Sequence, residues 1–109
     1  MIKGVGIDII EIERIEKLLV EKENFLNRNF TKSEQEFNSK SETVAGNFAA
    51  KEAFAKAMGT GFRSFGLIDV EVLRNDFGAP YIKFKGEQTN THVSISHNRT
   101  TAVAVVILT

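Results

Sequence analysis

The stretch that decides the fold runs from Ser41 to Gly59 and reads SETVAGNFAAKEAFAKAMG. Its centre is largely apolar, and only Lys51 and Glu52 interrupt it. The four residues Ser39-Lys40-Ser41-Glu42 form a capping-box pattern, and a glycine such as Gly59 is typical of a helix end. We therefore predict one long helix from about Ser41 to Met58.

A strand and three shorter helical segments are predicted ahead of this helix. Ile2 to Ile10 is predicted as a strand because Val5, Ile7 and Ile9 alternate and share one face. The helical segments are Glu11 to Lys22, with an apolar stripe of Ile12, Ile15, Leu18 and Leu19; a short turn with Phe25, Leu26 and Phe30; and a helix opened by the capping box Thr31-Lys32-Ser33-Glu34.

The second half of the chain is rich in predicted strands. They are Leu67 to Leu73, Tyr81 to Phe84 after a turn that ends at Pro80, His92 to Ser96, and Thr101 to Leu108 after a tight Asn98-Arg99 turn. We expect these four strands to form a meander. A strand, then helices, then a meander indicates an α+β fold, with an antiparallel sheet packed on the long helix in a single domain over residues 1–109.

Composition excludes several classes of function. The 109 residues carry 14 Lys and Arg against 14 Asp and Glu, so the formal net charge is 14 − 14 = 0, which disfavours nucleic-acid or membrane-surface binding. The chain has no cysteine, which excludes thiolate nucleophiles and zinc ribbons and leaves oxygen-ligated metals. No apolar run is long enough for a membrane helix, so cytoplasmic residence is the default expectation.

Two carboxylates stand in otherwise apolar segments. Asp8 interrupts the predicted first strand, either as a cap for the following helix or as a functional ligand. Glu52 lies in the long helix, either paired with Lys56 four residues on or together with Asp8 as a ligand of Mg²⁺. In the second interpretation Lys51 and Lys56 neutralise phosphate charge.

Each of the other candidate ligand-binding residues also has a purely structural interpretation. Gly59-Thr60-Gly61 is either a helix end or a turn that brings backbone N–H groups to a phosphate. His92 and His97 are five residues apart, so on a regular strand they face opposite sides, and His97 at the strand end is the better placed to reach a ligand. Arg14 and Arg28 lie on helical segments where a solvated surface role is the common one.

The order of these motifs resembles one family, the 4′-phosphopantetheinyl transferases, over nearly the whole chain. Gly4-Val5-Gly6-Ile7-Asp8 is similar to the first signature of the family, and Phe48-Ala49-Ala50-Lys51-Glu52-Ala53-Phe54 is similar to the second. The short length, Lys56 to Gly61, and Val93-Ser94-Ile95-Ser96-His97 resemble the holo-acyl-carrier-protein synthase type.

The resemblance implies transfer of the phosphopantetheine arm of coenzyme A to a serine of apo acyl carrier protein, with release of adenosine 3′,5′-bisphosphate. It implies Asp8, Glu52 and Lys56 as catalytic residues, with Mg²⁺ held by Asp8 and Glu52. The coenzyme A-binding residues it implies are Lys51, Lys56, Gly59, Thr60, Gly61 and His97, and the carrier-binding residues are Arg14, Phe25 and Arg28.

The resemblance also implies a homotrimer with active sites at the subunit interfaces. The apolar last strand, Val103 to Leu108, supports association because only one of its faces can fill the core of its own chain. We expect Asp8, Glu52 and Lys56 from one chain to meet the Arg14–Arg28 segment of its neighbour.

Four positions depart from the family pattern: Asn47 replaces an arginine expected near coenzyme A, Ala79 replaces a frequent lysine, and Glu21 and Asn24 stand at often basic carrier-facing positions. Two alternative functions are also consistent with these residues. One is a Mg²⁺-dependent phosphohydrolase that uses the same carboxylates, and the other is a non-catalytic module that binds coenzyme A or the carrier.

Overall fold

The computed structural model describes residues 1–37 and 40–109 of the chain. The elements are β1 (Gly4–Glu11), α1 (Ile12–Glu21), α2 (Phe25–Asn29), α3 (Lys32–Gln35), α4 (Ser41–Met58), a 3₁₀ turn (Leu67–Asp69), β2 (Val70–Arg74), β3 (Pro80–Phe84), β4 (Glu87–Gln88), β5 (Thr91–His97) and β6 (Thr101–Leu108). The α+β class is confirmed, and so is the long helix, which spans the predicted residues and ends at Gly59 with φ +82°. The capping box predicted from Ser39 lies outside the described residues.

The strands form two antiparallel sheets instead of one meander. One sheet has the order β1-β6-β5 and the other has the order β2-β3-β4. The prediction of a continuous meander was wrong because β3 pairs with β4 and not with β5, so the chain changes sheets between β4 and β5. The other edge of β6 pairs along its whole length with β1, from Glu11 opposite Thr101 to Gly4 opposite Leu108. This pairing joins the two ends of the chain, which no local pattern reveals.

The predicted strand from Leu67 to Leu73 begins three residues late. Leu67–Asp69 is a 3₁₀ turn, because the carboxylate of Asp69 accepts a hydrogen bond from the Gly66 amide at 2.9 Å. Such a local bond competes with the strand conformation. The capping box at Thr31 is confirmed, since its hydroxyl accepts from the Glu34 amide at 3.3 Å while Glu34 accepts from the Thr31 amide at 3.0 Å.

Helix α4 lies directly on the inner face of the β1-β6-β5 sheet. Two glycines of β1 permit the close approach: a Cβ added at Gly4 would stand 2.0 Å from the carbonyl oxygen of Ala57, and one at Gly6 would stand 1.8 Å from that of Ala53. Further along the same face, β6 offers the small buried residues Ala104 and Ala102, which stand opposite Asp8 and Ile10. This tight contact places the middle of α4 against the middle of β1.

The outer face of the same sheet is apolar on β1 and β6. Val5, Ile7 and Ile9 do share one face, as predicted, and they are 58%, 60% and 69% exposed. Their partners on β6 are Ile107, Val105 and Val103. The single chain therefore buries one face of this sheet and leaves an apolar face, defined by these six residues, open.

Candidate active site

Asp8 lies in the middle of β1, on the face that packs against α4. It stands opposite Ala104 of β6, and its side chain is 19% exposed. The interpretation of Asp8 as a helix cap is wrong, because the residue before α1 is Glu11 and no side chain caps that helix start. A carboxylate at this central position is instead directed to the border between strand and helix.

Lys56 reaches across that border from α4. Its amino group donates to the Ile7 carbonyl at 2.9 Å and lies 3.2 Å from Oδ1 of Asp8. The predicted pairing of Lys56 with Glu52 is therefore replaced by an ion pair with Asp8. Half of the Lys56 side chain stays open to solvent, so its charge is accessible to a ligand.

Glu52 stands one helical turn before Lys56 and is half-buried. Burial raises the pKa of its carboxyl above the ordinary value, and the negative charge of Asp8 raises it further. The charges of Lys56 and Arg14 act in the opposite direction. Two carboxylates and two cations therefore share one electrostatic neighbourhood at the junction of β1, α1 and α4.

The two carboxylates fit a divalent cation. They repel each other, and one of them is partly removed from water, so a bound cation would relieve both costs. Within residues 1–37 and 40–109, no group of three or more His, Asp or Glu side chains could hold a metal. Mg²⁺ suits such an incomplete set, because it commonly takes one or two carboxylates and completes its shell with water and substrate phosphate.

The turn after α4 ends the helix and faces open space. The Gly59 amide donates to the Lys56 carbonyl at 3.0 Å, and the Gly61 amide donates to the Ala55 carbonyl at 3.2 Å. The prediction that backbone N–H groups of this turn bind a phosphate does not hold for these two glycines, because the helix end uses both. The turn still offers unobstructed access, since a Cβ added at either glycine would meet nothing within 4 Å.

Two predicted ligand-binding residues are placed in the interior. Lys51 is fully buried, and its amino group is 2.7 Å from Oε1 of Glu34, so the structure does not bring it to the site. Phe25 stacks on Phe48 with ring centroids 6.1 Å apart and belongs to the core. Both predictions failed because charge and aromaticity do not tell which side of a helix turns inward.

The remaining predicted residues are exposed. His97 ends β5, and its Nδ1 lies 3.3 Å from the Asn98 carbonyl. Arg14 and Arg28 stand on the surfaces of α1 and α2. The charge of Arg14 acts on Glu52 of its own chain, and supply of the Arg14–Arg28 segment by a neighbouring chain stays a prediction.

The side chain of Asn47 contacts a cation from another element of the fold, although α4 itself has no cation at this position. Nη2 of Arg74, the last residue of β2, donates to Oδ1 of the buried Asn47 at 2.7 Å. Arg74 is half-buried and also borders a surface cavity with Asn75, Tyr81 and Gln88. No local sequence pattern pointed to Arg74, because the contact joins residues 27 positions apart.

Asn24 has a conformational explanation. It precedes α2 with φ +68°, in the left-handed region that asparagine tolerates better than most residues. A backbone requirement therefore accounts for this departure from a basic residue. Nothing in the structure explains Glu21, and Ala79 donates its amide to Oδ1 of Asn75 at 3.0 Å within the turn.

A family profile and two curated relatives match nearly the whole chain. The profile described as the 4′-phosphopantetheinyl transferase superfamily matches residues 4–107. The holo-[acyl-carrier-protein] synthase of Oceanobacillus iheyensis is 51% identical, covering 99% of this chain and 97% of its own. That of Clostridium botulinum is 48% identical, covering 99% and 98%.

A solved structure is similar along its whole length. The crystal structure of a holo-(acyl-carrier-protein) synthase from Bacillus anthracis in complex with CoA (3′,5′-ADP) has a TM-score of 0.86 and 44% identity, covering 99% of this chain and 96% of that one. Separately, no helix within the described ranges is long and apolar enough to cross a membrane.

Proposed function

Because this chain belongs to the 4′-phosphopantetheinyl transferase superfamily, and within it to the holo-[acyl-carrier-protein] synthases, we propose that it modifies apo acyl carrier protein in a Mg²⁺-dependent reaction. The 4′-phosphopantetheine arm of coenzyme A passes to a carrier serine, and adenosine 3′,5′-bisphosphate leaves. The observation that carries the proposal is the pair of carboxylates, Asp8 and Glu52, with Lys56 at the same border of strand and helix.

The chain needs no nucleophile of its own for this reaction. The carrier serine oxygen attacks the β-phosphorus of coenzyme A, and the bond from that phosphorus to the bridging oxygen breaks. The protein has to orient the two substrates and neutralise phosphate charge. This division of work is consistent with a site that contains carboxylates and a lysine and a chain that has no cysteine.

Each site residue has a proposed role. Asp8 and Glu52 would hold Mg²⁺, which when bound supplies Lewis-acid polarisation of the pyrophosphate. Glu52, or a water that it orients, accepts the serine proton. Lys56 neutralises a phosphate oxygen; Thr60 and His97 contact the nucleotide, and Arg74 replaces the cation absent at Asn47.

The carrier surface is proposed on two exposed arginines, one on α1 and one on α2. Arg14 and Arg28 remain candidates, and Phe25 is withdrawn because it lies in the core. Cytoplasmic residence remains a prediction from the sequence.

Intact-mass analysis of apo carrier protein with coenzyme A and Mg²⁺ tests the function. We expect a mass gain equal to one phosphopantetheine group, together with formation of adenosine 3′,5′-bisphosphate. Breakdown of coenzyme A without carrier would favour the phosphohydrolase. Binding of coenzyme A without mass gain would favour the non-catalytic module.

Replacing Lys56 with alanine should lower kcat/KM for coenzyme A by about ten-fold or more, because a cation that meets developing phosphate charge stabilises the transition state. The matched control is Lys17→Ala. Lys17 belongs to an exposed pair with Glu13 at 3.7 Å, and such pairs contribute at most about 1 kcal/mol. Equal small effects of both substitutions in steady-state assays would show that Lys56 serves only its pair with Asp8.

We further propose a homotrimer that covers the apolar outer face of the β1-β6-β5 sheet. The six residues of this face form one contiguous patch, because the strand register places Val5, Ile7 and Ile9 beside Ile107, Val105 and Val103. Exposed patches of this kind mark association surfaces, and a closed cyclic assembly covers them without leaving a free edge. The number three follows from the family resemblance.

Ile7→Asp should dissociate the trimer, because it puts a charge in the centre of this face. Light scattering should give the mass of three 12.1-kDa chains for the natural protein and a lower mass for the variant, with reduced activity. Val20→Asp is the control, since Val20 is 85% exposed on α1 and lies outside the sheet. A natural protein that is fully active at the mass of one chain would contradict the trimer.

A further inference from the structure

A fully buried ion pair lies next to the candidate site. Lys51 and Glu34 are both fully buried, with the amino nitrogen 2.7 Å from Oε1 of the carboxylate. The three donors of the amino group match three acceptors: Glu34, the Asn29 carbonyl at 2.6 Å and the Leu67 carbonyl at 2.9 Å. The amino group also stands 4.4 Å from the centre of the Phe30 ring.

Glu34 extends the same network to the second sheet. Its Oε2 accepts from the Val72 amide on β2 at 2.9 Å, and its Oε1 accepts from the Thr31 amide at 3.0 Å. The pair therefore ties α4 to the end of α2, to α3, to the 3₁₀ turn and to β2. Every bond in this network is directional, so it holds α4 at one rotation about its axis.

We propose that Lys51 and Glu34 are a positioning pair, which fixes the rotation of α4 so that Glu52, the next residue, meets Asp8. This inference rests on the proposed function of Asp8 and Glu52. It assigns to Lys51 a role different from the phosphate contact that the sequence predicted, and to Glu34 a role beyond its capping box.

The contact of α4 with β1 does little by itself to fix the rotation of the helix. Toward β1 the helix presents Ala53 and Ala57 against Gly4 and Gly6. Small side chains form shallow ridges, so this contact permits close approach but resists rotation weakly. Successive helix residues are about 100° apart, hence a fixed direction for Lys51 fixes that of Glu52.

The free-energy cost of burying this pair favours a role in orienting α4 over a role in stabilising the fold. Burial raises the pKa of Glu34 and lowers the pKa of Lys51, so desolvation opposes the charged state of both. Buried ion pairs are weak contributors to stability, and apolar replacements often stabilise a fold as well. A pair kept at this cost next to Glu52 is better explained by orientation than by stability.

The test removes both charges together. The double variant Glu34→Gln with Lys51→Met keeps the volume and leaves no unpaired buried charge. We expect a folded protein that binds Mn²⁺ about 10- to 100-fold more weakly, measured by electron paramagnetic resonance without coenzyme A, with lower kcat and an unchanged KM for coenzyme A. The control double variant, Glu36→Gln with Lys32→Met, makes the same two kinds of change at exposed positions of α3 and its C-terminal end, and it should alter none of these values.

Two results would overturn the proposal. Natural Mn²⁺ affinity in the folded double variant would show that the pair does not position Glu52. A raised KM with natural Mn²⁺ affinity would assign Lys51 to the substrate instead. Because Mn²⁺ binding is measured without transfer, failure of the proposed reaction would be recognised separately.

A measurement on the natural protein covers the case in which the double variant does not fold. With ¹⁵N-labelled lysine, the Lys51 amino resonance should exchange slowly with water and keep its position when coenzyme A is added, while that of Lys56 shifts. A Lys51 resonance that exchanges fast, or that shifts more than that of Lys56, would refute the buried positioning pair.

Discussion

Glu52→Gln should reduce transfer by at least about 100-fold, because it removes one of the two proposed metal ligands and the candidate base together. Asp8→Asn should cause a comparable loss and should also lower the pKa of Glu52, since the charge of Asp8 raises it. Steady-state transfer assays at saturating Mg²⁺ measure both losses. Near-natural rates in either variant would refute the paired-ligand site.

Glu52→Gln should also stabilise the fold at neutral pH. The pKa of Glu52 is raised in the folded state, so between its unfolded and folded pKa values the folded chain binds more protons than the unfolded chain. Stability is then lost as pH rises through that window, and the loss persists above it. Glutamine has no charge to desolvate, so Glu52→Gln should unfold at a higher urea concentration than the natural protein at pH 7.

This pairing of outcomes separates a site residue from a structural one. A variant that is inactive but more stable would show that Glu52 lowers the stability of the fold and is required for activity. The urea midpoints of both proteins should converge at a pH below the unfolded pKa of Glu52, where the carboxyl is protonated in both states. If Glu52→Gln instead lowered stability at pH 7, the burial and the repulsion by Asp8 would not govern this carboxyl.

Local signals predicted the parts of the fold that depend on neighbours in sequence. The limits of α4 and the capping box at Thr31 agree with the sequence because a glycine stop and a Thr-x-x-Glu pattern act within one helical turn. The pairing of β1 with β6 was not predictable in this way. It joins residues about 100 positions apart, and both strands pack on α4.

The site shows the same division. Asp8 and Glu52 stood out because carboxylates are unusual in apolar segments, and they do share one neighbourhood. Lys51 stood out equally and is structural, because its partner Glu34 is 17 residues away and looked like a capping residue. The identity of a charged residue indicates that it needs a partner, but only the fold shows whether that partner is a ligand or the protein itself.

Gly6→Ala should destabilise the fold more than any other substitution of a small residue where β1 contacts α4. A Cβ at Gly6 would lie 1.8 Å from the Ala53 carbonyl oxygen and 2.8 Å from the Ala57 amide nitrogen, and both are backbone atoms of α4. The helix cannot yield by a side-chain rotation, so strand and helix must move apart. We expect a loss of about 3 kcal/mol or more in the free energy of unfolding, at the upper end of overpacking costs.

The matched control for this change is Gly66→Ala. Gly66 has φ −112°, which alanine adopts without strain, and a Cβ there meets nothing within 4 Å. Its free energy of unfolding should stay within about 1 kcal/mol of the natural value, because the substitution acts mainly on the unfolded chain. Urea unfolding of both variants at one protein concentration makes the comparison, since association would shift the midpoint with concentration.

The displacement caused by Gly6→Ala should reach the chemistry as well. Asp8 follows Gly6 by two residues on the same face of β1, and Glu52 directly precedes Ala53, the residue that the new methyl group would strike. Separating β1 from α4 therefore separates the two carboxylates, so the folded fraction of Gly6→Ala should bind Mn²⁺ more weakly than the Gly66→Ala control. A Gly6→Ala protein with natural stability and natural Mn²⁺ affinity would show that the close contact of β1 with α4 does not position the site.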